Sequence, residues 1–151
     1  MPTTYSADEM SEMLVAGAAA IDRTNVSAAV HLLTFTSLPH RPAFAELVDV
    51  EDVAGGDGPG LAAFVRWKEL PGSKAADRLG GADQRLLALA VSLATGEPVD
   101  LAANLSVGGH AYARRVIEAV AIATGYGEHY EITPTAKLDR LIAERDALLS
   151  S

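Results

Sequence analysis

The stretch from Asp83 to Gly125 constrains the fold most, because it carries two apolar helical patterns in close succession, Asp83 to Thr95 and His110 to Thr124. In the first, Leu86, Leu89, Ala90 and Leu93 recur at the three-and-four spacing of one helix face, and Leu87, Val91 and Ala94 widen that face. In the second, Ala113, Val116, Ile117, Val120 and Ala121 repeat the pattern. Asp83 is placed to accept from the free N–H groups of a first turn, and Gly96 and Gly125 supply the residues that end the two helices. Helices this apolar need each other and a third layer. The stretch is a core before it is a site.

The rest of the chain adds more helix and one patch of alternation. Ser6-Ala7-Asp8-Glu9 is a capping box that starts a helix at Ala7, continuing through Met10, Met13, Leu14, Gly17 and Ile21. Thr24 or Asn25 caps a second helix in which Val26, Ala29, Val30 and Leu33 share a face, and Pro39 stops it. Pro42 suits the first turn of a short helix to Leu47. From Leu47 to Val53 the valines Val48 and Val50 alternate with Asp49 and Glu51, which predicts a half-exposed strand.

Beyond a loop at Gly55 to Gly60, Ala63, Val65 and Trp67 alternate with Phe64, Arg66 and Lys68. A hairpin is expected, with a helix over Leu61 to Leu70 as its competitor. A lone hairpin is barely stable in water, so it must lie on the helices. One helical turn is expected over Ala75 to Leu79 and a short strand over Tyr126 to Ile132. A final helix follows, capped by Thr133 and opened by Pro134, bearing Leu138, Leu141, Ile142, Leu148 and Leu149. The expected fold is one compact α+β domain over residues 1–151, predominantly α-helical, a helical bundle with one small β-hairpin.

Charge and composition remove several classes of function. The formal charge of -8, from 12 Lys plus Arg against 20 Asp plus Glu, repels phosphate backbones and anionic membranes, so nucleic-acid binding would need a local basic patch. The absence of Cys removes disulfides and thiolate metal sites. No apolar run approaches the roughly 20 residues of a membrane span, and the first residues lack a leader pattern. No membrane partner and a cytoplasmic location are therefore expected. The bias to Ala, Val, Gly, Asp and Arg resembles the product of a GC-rich genome, and a bacterial source is expected.

No cofactor or metal motif emerges. The Gly55 to Gly60 loop lacks the Lys and Ser or Thr that a phosphate-binding loop needs after its last glycine, since Leu61 and Ala62 follow. His31, His40, His110 and His129 are scattered, with no pair at the helical spacing of a metal site. There is no Gly-x-Ser-x-Gly pattern, so no catalytic residue is assigned. Glu51, Asp52 and Asp49 read as the wet face of a strand. The candidate binding residues are His40 and Arg41, held out between Pro39 and Pro42 with Glu46 nearby, and His31 on its apolar helix.

Three functional expectations follow. The first is a non-catalytic intracellular interaction or accessory module that self-associates, with Met10, Met13 and Leu14 of the first helix as the interface, since methionine adapts to partner surfaces. The second is a winged helix-turn-helix DNA-binding regulator. Its helices would be Asp83 to Thr95, Asp100 to Val107 and His110 to Thr124, with a wing over Tyr126 to Thr133 and with His110, Tyr112, Arg114 and Arg115 reading DNA. The third is a small-molecule-binding protein or enzyme using His31, His40, Arg41 and Glu46.

Overall fold

A computed structural model describes residues 4–53, 60–106 and 108–151 of the chain. It is predominantly α-helical with one antiparallel hairpin, as the patterning predicts. The elements are α1 (Ala7–Ile21), α2 (Thr24–Leu33), a 3-10 turn (Leu38–His40), α3 (Pro42–Ala45), β1 (Val48–Asp52) and β2 (Leu61–Val65). The second half holds α4 (Lys74–Asp77), α5 (Gly81–Thr95), α6 (Leu101–Asn104), α7 (His110–Ala123) and α8 (Ala136–Leu149). The expected loop at 55–59 lies outside the described residues, as does Val107.

Helix α1 starts as its capping box dictates: the Ser6 N–H donates to the Glu9 carboxylate at 2.7 Å and the Glu9 N–H donates to the Ser6 hydroxyl at 3.1 Å. Leu61 to Leu70 is not a helix. Its first half is β2, paired with β1 so that Val48 faces Val65 and Val50 faces Ala63. The pairing puts the apolar residues of both strands on one side, where they pack on α1. There Gly17 lies against the backbone of β2, and a Cβ at that position would overlap the Ala63 carbonyl. The hairpin is thus held by a helix whose backbone comes into direct contact with it.

The central element is α2 rather than the α5–α7 pair. Val26, Val30 and Leu33 of α2 face a core built with α1, the hairpin, α3 and α4, whereas Ala28, Ala29 and Leu32 face a second core built with α5 and α7. Both apolar helices of the 83–125 stretch therefore pack chiefly on α2 and only slightly on each other. Small residues on α2 allow this, because Ala28 and Ala29 are fully buried and add little width between neighbours.

Several expected caps serve other purposes. Asp83 lies inside the first turn of α5, whose N-cap is Gly80, and its carboxylate reaches across to other elements. Thr24 and Asn25 do not cap α2. The Thr24 hydroxyl donates to the Ala123 carbonyl of α7 at 3.0 Å, and the Asn25 amide donates to the Leu93 carbonyl of α5 at 2.9 Å. Helix α2 also ends at Leu33, before Pro39 is reached. The Thr34 and Thr36 hydroxyls donate back to the Val30 and Leu33 carbonyls, which also accept the backbone N–H groups of the same two threonines. Helix α8 is capped by Thr135 rather than Thr133, and Tyr126 to Ile132 forms turns and no strand. Gly96 and Gly125 end α5 and α7 at φ +79° and +84°, the left-handed values expected of them.

Among the described residues no helix is long and apolar enough to cross a membrane.

Candidate functional site

The sequence-derived site residues separate into a closed seam, an open cleft and a piece of the core. The core takes Met10, Met13 and Leu14, which are 4%, 6% and 0% exposed. The face expected to meet a partner is buried under α2 and the hairpin, so it is not an interface. Only Met10 also reaches a surface opening, the cleft described below.

The seam joins α2 to α7 and the start of α5. The Arg115 Nε donates to the His31 carbonyl at 2.7 Å and its Nη2 donates to the Thr34 hydroxyl at 3.1 Å, while the guanidinium lies 5.3 Å from the centre of the Phe35 ring. Phe35 meets Tyr112 edge to face at 5.1 Å, and the Tyr112 hydroxyl donates to Asp83 Oδ1 at 2.9 Å. The other oxygen of Asp83 accepts from the Ser37 N–H at 3.0 Å. Each polar group here has a partner, which is the condition for leaving it partly buried. The bond to Asp83, more than burial, raises the Tyr112 pKa.

His31 continues the seam. Its Nε2 lies 3.3 Å from Glu118 Oε1, and Glu118 Oε2 lies 3.6 Å from Arg114 Nε. Burial lowers the His31 pKa and the Arg115 charge lowers it further, against the opposing effect of Glu118. The imidazole is therefore neutral at pH 7. Beside it a cleft of about 240 Å³ is lined by His31, Arg114, Glu118, Tyr130 and Glu131.

This geometry bears directly on the DNA-reading residues. Tyr112 and Arg115 face inward and are bonded across helices, and Arg114 is paired with a carboxylate of its own helix. Of the four, His110 alone stands exposed with no side-chain bond among the described residues. The middle helix of the expected motif is a single turn, Leu101–Asn104, and the wing forms no strand. No basic strip results.

The larger cleft, about 810 Å³, opens between the start of α1, the turn from Pro39 to α3, and β1. Its walls include Met10, Val48 and Val50 together with His40, Arg41 and Glu46, so three candidate residues named from the sequence converge here. His31 does not join them. The turn is stiff: Pro39 and Pro42 bracket His40 and Arg41, and the His40 and Arg41 N–H groups donate to the Ser37 and Leu38 carbonyls. The Arg41 Nη2 donates to the Arg78 carbonyl at 3.0 Å, but its buried Nε has no partner among the described residues. Glu46 accepts from Arg66 through its backbone carbonyl, and no described residue bonds its carboxylate.

Sequence reasoning missed a third feature. On α7 the residues Ile117 and Val120, assigned to the core by spacing, are 50% and 55% exposed, while Tyr112, Arg115, Val116 and Ala119 take the inner face. None of the 14 residues of α8 is buried. Its Leu141, Leu148 and Leu149 stand open, as do Tyr126 and Tyr130 in the connection from α7. The apolar spacing of α8 in the sequence was the signal, and only the absence of packing around it was illegible.

No group of three His, Cys, Asp or Glu that could hold a metal ion occurs among the described residues. Compared with protein-family models, curated proteins and solved structures, the chain matches none.

Proposed function

We propose that the protein is a non-catalytic interaction module that self-associates through its C-terminal third. The observation that carries this reading is α8, a helix with apolar residues at helical spacing and not one buried position. An isolated helix of 14 residues is marginal in water, since helices of this length owe most of their stability to packing of the apolar face. Exposed contiguous apolar surface of this kind marks a contact with another macromolecule.

Charge favours a second copy as the occupant. The chain as a whole carries -8, which opposes contact between like molecules, but α8 sets Lys137, Arg140 and Arg145 against Asp139, Glu144 and Asp146 and is neutral. Two copies meet there without net charge opposing them. At about 1.5 Å per residue α8 is only about 21 Å long. That is too little for the roughly 800 Å² that each partner of a stable interface contributes, so the contact takes in surface beyond α8, for which the exposed Ile117 and Val120 of α7 are apolar candidates.

Light scattering of the purified chain tests this. The expected result is a dimer or larger assembly, converted to monomer by the double substitution Leu141→Glu and Leu148→Glu, both at exposed positions that leave the fold intact. A monomer at every concentration up to about 100 µM, a level at which even contacts weaker than the micromolar range are populated, overturns the reading.

A further inference from the structure

The seam and the large cleft differ in one chemical respect, and the difference assigns a ligand class to the cleft. A volume of about 810 Å³ lies within the size range of small-molecule sites, which combine apolar walls with a few convergent polar groups. Here the apolar part comes from Met10, Val48 and Val50. The polar part comes from one stiff segment, where Arg41 and Glu46 stand on either side of the single turn α3.

A simple anion is a poor match, because the Glu46 carboxylate and the net charge of -8 oppose it. A simple cation is equally poor, because Arg41 is in the way. A molecule bearing both an acid and an amine satisfies both walls. Its carboxylate pairs with the part of the guanidinium that the Arg78 carbonyl does not engage, and its ammonium pairs with the Glu46 carboxylate, which no described residue bonds. Four residues, the single turn α3, separate Arg41 from Glu46, so the two charges are presented from opposite ends of that turn. Two separate anchors over one apolar wall suit the two free ends of a short apolar peptide.

We propose that this cleft binds a small zwitterion with an apolar body, of the class of a short apolar peptide, holding its carboxylate at Arg41 and its ammonium at Glu46 over a surface of Met10, Val48 and Val50. The site is separate from the C-terminal surface and does not depend on association.

Calorimetric titration with the dipeptide Leu-Leu, its N-acetyl form and its C-terminal amide tests the assignment on the full chain. The free dipeptide binds, and each capped form binds at least about tenfold more weakly, a loss of about 1.4 kcal/mol for each missing charge. Glu46→Gln, an exposed position, removes the discrimination against the N-acetyl form. Arg41→Gln removes the discrimination against the amide. Should Arg41→Gln fail to fold, Glu46→Gln and the capped ligands still decide the matter. Capped forms that bind as well as the free dipeptide overturn the proposal, and so does the absence of saturable binding by any of the three up to about 10 mM, a concentration that would reveal even millimolar affinity.

Discussion

Two regions of this protein hold the same three residue types, and they use them in opposite ways. In the seam between α2 and α7, Arg115, His31 and Glu118 lie against one another or against backbone, and each is bonded. In the cleft beside α3, Arg41, His40 and Glu46 share a wall without bonding one another. The first set closes a contact between helices. The second leaves charge facing a space that a ligand can fill. A cluster of Arg, His and Glu is thus not in itself a site; what distinguishes the two is whether the hydrogen-bonding capacity is already satisfied.

The largest effect expected from any single substitution here separates the two regions outright. Gly17→Ala places a methyl group where the Ala63 carbonyl stands, backbone against backbone, so α1 and the hairpin must part. Helix propensity alone predicts the reverse, a gain of up to about 1 kcal/mol for alanine over glycine. The close contact predicts a loss of about 3 kcal/mol, near the upper end for overpacking. Urea unfolding reads the sign directly. The damage falls on the side that builds the cleft, through Met10 of α1 and Val48 and Val50 of β1, so dipeptide binding weakens with it. A stabilised variant would mean that α1 can move away from the hairpin without cost.

The two arginines provide the next contrast. Arg115→Met removes two hydrogen bonds and the contact with Phe35 from a part-buried seam, leaving the Thr34 hydroxyl without its donor and the His31 carbonyl with only the 3.3 Å bond from that hydroxyl. The expected loss is about 2 kcal/mol. Arg41→Gln removes a single exposed bond to the Arg78 carbonyl and is expected to change stability by under about 1 kcal/mol. Unfolding midpoints of the two variants measured side by side test the distinction. Equal losses would make Arg41 as structural as Arg115 and remove the ground for treating the cleft as open.

The parts of the fold that were legible in the sequence are those settled by neighbours within a few residues. The Ser6–Glu9 capping box, the alternation of Val48 and Val50, and the glycines at 96 and 125 each report a local geometry. Asp83, Thr24 and Asn25 carry equally good local signals as caps, yet their side chains bond residues 29 to 99 positions away along the chain, which no local pattern reveals. The same limit explains α7. Its surface is apolar nearly all round, so spacing alone could not say that Tyr112 and Arg115 turn inward while Ile117 and Val120 remain outside. For the sites, the prolines around His40 and Arg41 mark a stiff turn, and that turn lines the larger cleft. His31 carried a similar signal from its apolar surroundings and belongs to the seam.

The smallest effect expected concerns the charge state of His31, and it is confined to mild acid. His31 has a pKa lowered in the folded chain, chiefly by burial and then by Arg115, with Glu118 opposing. The unfolded chain therefore takes up a proton on this residue first as the pH falls below the ordinary value of about 6.5. Between that value and the lower folded one, unfolding binds a proton, so stability decreases with acidification; above about 6.5 both states are neutral and the contribution is flat. His31→Gln removes the slope in this window while keeping a donor for Glu118. Melting temperatures of the two chains between about pH 7 and 5.5 are expected to diverge, with the parent falling and the variant nearly level. Parallel curves would place the titrating group elsewhere.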